Sequence, residues 1–173
     1  MLKSTFLLFT LLLSFAAWSQ STQPEWKLLA KESYSIRYPA NWDLDQTGYE
    51  GTTFLIASEL TSPQDLFREN VTLIIHDLRG TTIYLDKLVK QSERKFQETL
   101  IGFNLIESKR YKGKPEFHKI VFTGDKGNLK IKFEQYLWIK GIKAYVLTFA
   151  AEQDQYDNYK LVGQKITNSF KIK

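Results

Sequence analysis

Four side chains on one predicted strand form the strongest candidate for a binding surface in this sequence. Apolar and polar residues alternate between positions 128 and 140, so Lys130 and Lys132 share a face with Tyr136 and Trp138. Residues 109–143 contain ten Lys or Arg against three acids, whereas the formal charge of the whole chain is only +5. A face on which lysines are followed by two aromatic rings could meet an anionic partner such as a lipid headgroup or an acidic protein. The sequence therefore predicts a candidate docking face for an envelope protein or another anionic surface.

The same strand has a second interpretation that requires no partner. Exposed strands commonly carry lysine, because its charge discourages association with other strands. On this interpretation the lysines are simply solvated, and the aromatic end of the strand passes beneath a helix. A nucleic-acid partner is not expected on either interpretation, because the chain is predicted to be exported.

Few residues of this chain could support catalysis or bind a transition metal. It has no cysteine and two histidines, His76 and His118, which lie in different predicted strands. Neither histidine has the sequence context of a nucleophilic serine site. The glycines around residues 124–127 are typical of a hairpin turn rather than a phosphate-binding loop. We therefore predict a non-enzymatic protein with no cofactor and no tight transition-metal site.

The first residues of the chain predict export. Lys3 precedes an apolar stretch at residues 6–17, and Ala17 and Ser19 are small residues at the two positions that signal peptidase recognises. This stretch is shorter than the roughly 20 residues that a membrane span needs. We expect a signal peptide at residues 1–19, cleaved before Gln20, and a short leader at residues 20–25. The mature protein would be periplasmic or secreted, without a membrane span, and the lack of cysteine excludes a lipoprotein.

The remaining residues, 26–173, are predicted to form one α+β domain. Apolar residues recur at helical spacing in residues 85–100 and 156–170, and other segments alternate as strands do. Residues 144–150 (AYVLTFA) have almost no polar side chain on either face, so this strand must be covered on both sides. Two amphipathic helices are available for this purpose. The sequence predicts an antiparallel sheet with a helix on each face, an α/β/α sandwich.

Four segments of the chain resemble the PsbP-like family. They are residues 34–42 (YSIRYPANW), 67–73 (FRENVTL), 143–149 (KAYVLTF) and 168–170 (NSF), which together span nearly the whole predicted domain. This family shares its sandwich fold with the Ran-binding import factor Mog and the periplasmic protein DcrB. The resemblance implies an antiparallel sheet flanked by helices. It implies no particular function, because the family includes proteins with unrelated roles and none of its binding residues matches a position here.

Two functions follow as hypotheses. The leading hypothesis is a non-enzymatic exported binding or accessory domain that docks on an envelope partner. The alternative is a carrier of a small molecule or lipid, with an apolar cavity between the sheet and one helix. A cavity of about 300 Å³ or more would favour the carrier. A filled core with an exposed surface of lysines and aromatic rings would favour docking.

Overall fold

The structure is a computed structural model and describes residues 25–173. The predicted signal peptide, and all but the last residue of the predicted leader, lie outside the described residues. The described part of the chain contains ten strands, two α-helices and a short 3-10 turn at Tyr49–Gly51. In chain order the strands and helices are β1 (Trp26–Ala30), β2 (Tyr34–Pro39), β3 (Asp43–Asp45), β4 (Phe54–Ala57), β5 (Asn70–Asp77), α1 (Leu85–Thr99), β6 (Ile101–Tyr111), β7 (Phe117–Lys126), β8 (Leu129–Lys140), β9 (Lys143–Glu152), α2 (Tyr156–Asn168) and β10 (Lys171–Ile172).

The strands in residues 25–173 form two antiparallel sheets. The smaller sheet has the order β1-β2-β10, and the larger one has the order β3-β4-β5-β9-β8-β7-β6. Consecutive strands from β6 to β9 pair directly with one another through short turns. This confirms the hairpin turn that the glycines around residues 124–127 indicated, which joins β7 to β8. Strand β9 then pairs with β5, which brings the two halves of the larger sheet together.

Both faces of β9 are buried, as its sequence predicted. Val146 is 7% exposed and Leu147 is fully buried, although adjacent side chains of a strand point to opposite faces. Leu147 and Phe149 belong to one hydrophobic cluster, whereas Ala144 and Val146 belong to another. The larger sheet therefore separates two apolar cores.

The first core, here called the α2 cluster, contains residues of both sheets and of α2. Helix α2 contributes the buried Tyr156 and Ile166, and the smaller sheet contributes Ile36 among others. A glycine, Gly163, lies where α2 crosses Phe149. A Cβ atom at this position would be only 2.6 Å from the Phe149 ring, so the close approach of helix and strand requires glycine.

The second core, the α1 cluster, lies on the other side of β9. Helix α1 contributes Leu85, Leu88 and Val89, which pack with apolar residues of β7, β8 and β9. Farther along the helix, the rings of Phe96 and Phe122 approach to 4.3 Å between centroids. Neither α-helix within residues 25–173 has the length and apolar character needed to cross a bilayer.

Candidate functional site: a groove between the sheet and α1

The four residues of the predicted docking face do not share one environment. All four lie on β8, with Lys130 exposed and Lys132 half-buried. Tyr136 and Trp138 are only 9% and 8% exposed and belong to the α2 cluster. The Trp138 ring lies 5.4 Å from the ring of Phe170, which follows α2 and covers this end of the strand. The two rings are therefore core residues, and only the lysine end of the face is open to a partner.

A buried carboxylate, Glu134, explains much of the polar chemistry on this side of β8. Its side chain is 1% exposed and forms an ion pair with Lys119 at 2.9 Å. It also accepts hydrogen bonds from the hydroxyls of Tyr136, at 2.8 Å, and of Tyr156. A further donor is the Gln164 amide nitrogen, at 3.1 Å from Oε1. Both carboxylate oxygens are thus satisfied, which is typical of a structural network rather than of a reactive group.

The electrostatics of Glu134 agree with this structural role. Burial raises the pKa of its carboxyl, but the hydrogen bonds from Lys119, Tyr156 and Tyr136 outweigh burial and hold the pKa below its usual value. The hydroxyl pKa values of Tyr136 and Tyr156 are raised by burial and by the same carboxylate. The ammonium group of Lys132 lies 3.8 Å from the centre of the Tyr156 ring, which places this lysine against α2. The Lys132 ammonium group therefore already interacts with the Tyr156 ring within the protein.

On the opposite face of the larger sheet, three polar side chains form a row across adjacent strands. Thr72 on β5 is directly opposite Thr148 on β9, which is opposite Gln135 on β8. The next row along the same strands, Ile74, Val146 and Leu137, is apolar and belongs to or packs on the α1 cluster. The polar row is therefore an interruption in an otherwise hydrophobic face.

This polar row forms the floor of a groove beside α1. The groove has a volume of about 410 Å³, and α1 forms one of its walls. Its apolar lining includes Leu55, Phe67, Phe96 and Phe133. Charged side chains are restricted to exposed residues at the rim, namely Glu50, Lys95 and Lys126. A concave site of this size, mostly apolar with a few polar groups, is typical of small-molecule binding.

One buried atom on the floor of the groove lacks a partner. The amide nitrogen of Gln135 donates to Thr148 Oγ1 at 3.1 Å, but Gln135 Oε1 has no hydrogen-bond partner within residues 25–173. The side chain of Gln135 is almost completely buried, because the residue is 3% exposed. Buried polar atoms are nearly always paired, and an unpaired one costs free energy. The groove floor is thus a place where an additional hydrogen-bond donor would stabilise the protein.

The mouth of the groove is bordered by a loop with unusual backbone angles. Gly48, Glu50 and Gly51 have φ values of 83°, 49° and 76°, in the left-handed region. For a residue other than glycine this conformation costs about 1–2 kcal/mol. Between them, Tyr49 is 63% exposed and lines the groove. Strained backbone of this kind is concentrated at functional sites in proteins.

The structure also brings together a serine, a histidine and an acid that the sequence did not connect. Ser108 donates to Glu93 Oε1 at 2.6 Å and lies 2.8 Å from His118 Nε2. In a catalytic triad the histidine lies between the serine and the acid, whereas here the serine lies in the middle. Its single hydroxyl hydrogen is directed at the glutamate, so in this arrangement Ser108 can only accept a hydrogen bond from His118, which is not the geometry of a nucleophile and its base. Burial lowers the pKa of this imidazole.

No cluster of three or more His, Cys, Asp or Glu side chains within residues 25–173 is arranged to hold a metal ion. His76 lines one end of the groove, and His118 lies on β7 with Ser108. The predicted lack of transition-metal binding, like the predicted lack of enzymatic activity, remains a prediction.

The comparisons with known proteins identify similar folds rather than sequence relatives. No family model and no curated protein sequence matches the chain. The solution structure of the cyanobacterial PsbP protein CyanoP from Synechocystis sp. PCC 6803 has a TM-score of 0.63 and 14% identity, and the match covers 92% of this chain and 99% of that one. LpqN of Mycobacterium tuberculosis, described as involved in cell envelope biogenesis, also has a TM-score of 0.63 and 14% identity, with 86% and 90% coverage. PA94, a putative regulator of unknown function from Pseudomonas aeruginosa, has a TM-score of 0.57 and 9% identity, with 83% and 94% coverage. The resemblance inferred from the four sequence segments is thus confirmed at the level of the fold, and the chain has a PsbP-like fold.

Proposed function

We propose that residues 26–173 form an exported, non-enzymatic accessory domain of the cell envelope that binds a small amphipathic molecule in the groove beside α1. The cellular setting is supported by the structural similarity to LpqN, a protein of cell envelope biogenesis. The predicted signal peptide agrees with that setting. Accessory and carrier functions need no catalytic group, and the Ser108 arrangement does not supply one.

The observation that carries this proposal is the groove itself. A volume of about 410 Å³ falls within the usual range of small-molecule sites, roughly 300–1,000 Å³. The aromatic end of the predicted docking face is buried in the α2 cluster, which leaves only lysines for a partner. Of the two functions that the sequence left open, binding of a small molecule therefore has the stronger structural support.

An α/β/α arrangement in which α2 covers one face of the larger sheet completely and α1 covers the other face only in part would explain the groove. In this arrangement α2 and the smaller sheet seal one face of the larger sheet, where Glu134 and its partners fill the remaining space. Helix α1 covers the other face, but it packs mainly on β6, β7 and β8. The part of this face near β4 and β5 then remains available to a ligand.

The proposal is tested with the uncharged fluorescent probe N-phenyl-1-naphthylamine, which brightens in apolar sites. We expect saturable binding of one probe per protein. In the variant Thr72→Phe an aromatic ring occupies the groove floor, and the affinity should fall by about tenfold or more. The control variant Leu161→Phe adds the same ring on α2, where Leu161 is 80% exposed, and should bind as wild type does. Equal binding by all three proteins, or none by wild type, would contradict the proposal.

A further inference from the structure

We infer that the part of the ligand that reaches the groove floor is uncharged and carries a hydrogen-bond donor, a hydroxyl or an amide N–H, which binds Gln135 Oε1. This inference rests on the proposed function and specifies the chemical class of ligand that the groove selects. It follows from a count of the donors and acceptors on the floor and from the position of the charges around it.

The hydrogen bonds of the floor leave an acceptor open. The amide nitrogen of Gln135 donates to Thr148 Oγ1. The amide oxygen is buried without a partner in the described part of the chain. An amide oxygen accepts hydrogen bonds and cannot donate them, so the missing group must be a donor. The neighbouring Thr148 hydroxyl accepts from Gln135 and retains its own hydrogen for an acceptor on the same ligand.

The charges around the groove exclude an ionised group at this position. The polar row Thr72, Thr148 and Gln135 is neutral, and the charged residues Glu50, Lys95 and Lys126 line only the exposed rim. A charge buried without a counter-ion is strongly disfavoured, so an ammonium group would not reach Gln135 Oε1 in spite of its donors. A carboxylate would also meet the amide oxygen as a second acceptor.

The surrounding lining defines the rest of the ligand. Leu55, Phe67, Phe96 and Phe133 present apolar surface around the polar row. The matching molecule has an apolar chain or ring that bears a neutral donor. A molecule of the same shape without a donor would leave Gln135 Oε1 unpaired after water is expelled, and this loss amounts to about tenfold in affinity.

The test measures how eight-carbon competitors displace N-phenyl-1-naphthylamine from the wild-type protein. 1-Octanol and octanamide carry a neutral donor, octyl methyl ether has only an acceptor, and octanoate is charged. We expect the alcohol and the amide to bind about tenfold more tightly than the ether, with octanoate weaker still. A series in which the ether binds as tightly as the alcohol overturns the inference, whatever the variants show.

The variant Gln135→Met tests whether Gln135 Oε1 causes the preference for the alcohol over the ether. Gln135→Met has nearly the same shape but no amide oxygen, so the preference for the alcohol over the ether should disappear while the affinity for the ether is retained. The matched control Gln97→Met, on the exposed surface of α1, should keep the wild-type preference. Persistence of the preference in a folded Gln135→Met protein assigns it elsewhere and also overturns the inference.

Different results would contradict the proposed groove function and the inferred class of ligand. If the probe binds in the groove and Thr72→Phe blocks it, but all competitors are equivalent, the ligand class is wrong and the groove function stands. If Thr72→Phe leaves probe binding unchanged, the groove function itself is wrong.

Discussion

Replacing Glu134 by glutamine is expected to lower the free energy of unfolding by about 3 kcal/mol. The carboxylate is 1% exposed and pairs with Lys119 at 2.9 Å, so its removal leaves a mostly buried ammonium without a counter-ion. Breaking a buried pair in this way costs about 3–5 kcal/mol. The side chain of Lys119 is 17% exposed and can regain some hydration, which places the loss at the lower end. The new amide would also direct its own donors at hydroxyl and amide groups that already donate.

Urea unfolding at pH 7, followed by tryptophan fluorescence, measures this loss. The matched control is Glu116→Gln, which weakens the ion pair with Arg110 at a side chain that is 40% exposed. Exposed pairs of this kind contribute at most about 1 kcal/mol. A second variant, Glu134→Gln combined with Lys119→Met, removes the unpaired charge and should recover part of the loss. If Glu134→Gln costs no more than Glu116→Gln, the network does not stabilise the fold and the reasoning is wrong.

The same network predicts how the difference between wild type and Glu134→Gln depends on pH. The pKa of Glu134 in the folded protein is below its usual value of 4.5. The stability that it contributes is therefore fully present above the unfolded pKa and is lost as the pH falls through the folded pKa. The difference in unfolding free energy between the two proteins should be constant from pH 7 to about 5.5 and should shrink at lower pH. A difference that grows on acidification would contradict the assigned direction.

Three further predictions concern the core, the lysine face and export. Val146→Ala and Leu147→Ala should each lower the unfolding free energy by about 1.5–4 kcal/mol in urea titrations, because each opens a cavity in a different core. If one of the two substitutions is neutral, β9 is not buried on both faces. If the lysine end of the face docks on anionic surfaces, the double variant Lys130→Gln/Lys132→Gln should bind anionic vesicles more than tenfold less than wild type in co-sedimentation, because each lysine contributes about 1 kcal/mol. Equal, negligible binding by both proteins would show that these lysines are only solvated. Mass spectrometry of the protein from its own cells should show a mature chain that begins at Gln20, and recovery of the intact N-terminus would exclude cleavage.

The fold could be predicted largely from local patterns. The unbroken apolar run in β9 indicated burial on both faces, and the glycines around residues 124–127 indicated the hairpin between β7 and β8. These signals are contained within single segments, so no knowledge of the tertiary structure is needed to interpret them.

The candidate site could not be predicted in the same way. A glutamine at position 135, between Phe133 and Leu137 on an apolar face, is a visible irregularity in the sequence. Its meaning depends on the register that places it opposite Thr148, and register is a property of the assembled sheet. For the same reason, alternation placed Trp138 on the same face as Lys132 but could not show that Phe170, in the chain after α2, covers the Trp138 ring.

Two adjacent residues of β8 have unrelated roles. Glu134 belongs to the buried polar network on the sealed side of the larger sheet, and Gln135 belongs to the floor of the groove on the other side. A substitution at either position leaves the other side chain in place, so stability and ligand selectivity can change independently during evolution. Insertion or deletion of a single residue in this strand is different, because it rotates every later side chain to the opposite face. Such a change would carry a core aromatic into the groove and a groove residue into the core. Relatives of this protein should therefore vary freely in the length of the β8–β9 turn but not in the length of β8 itself.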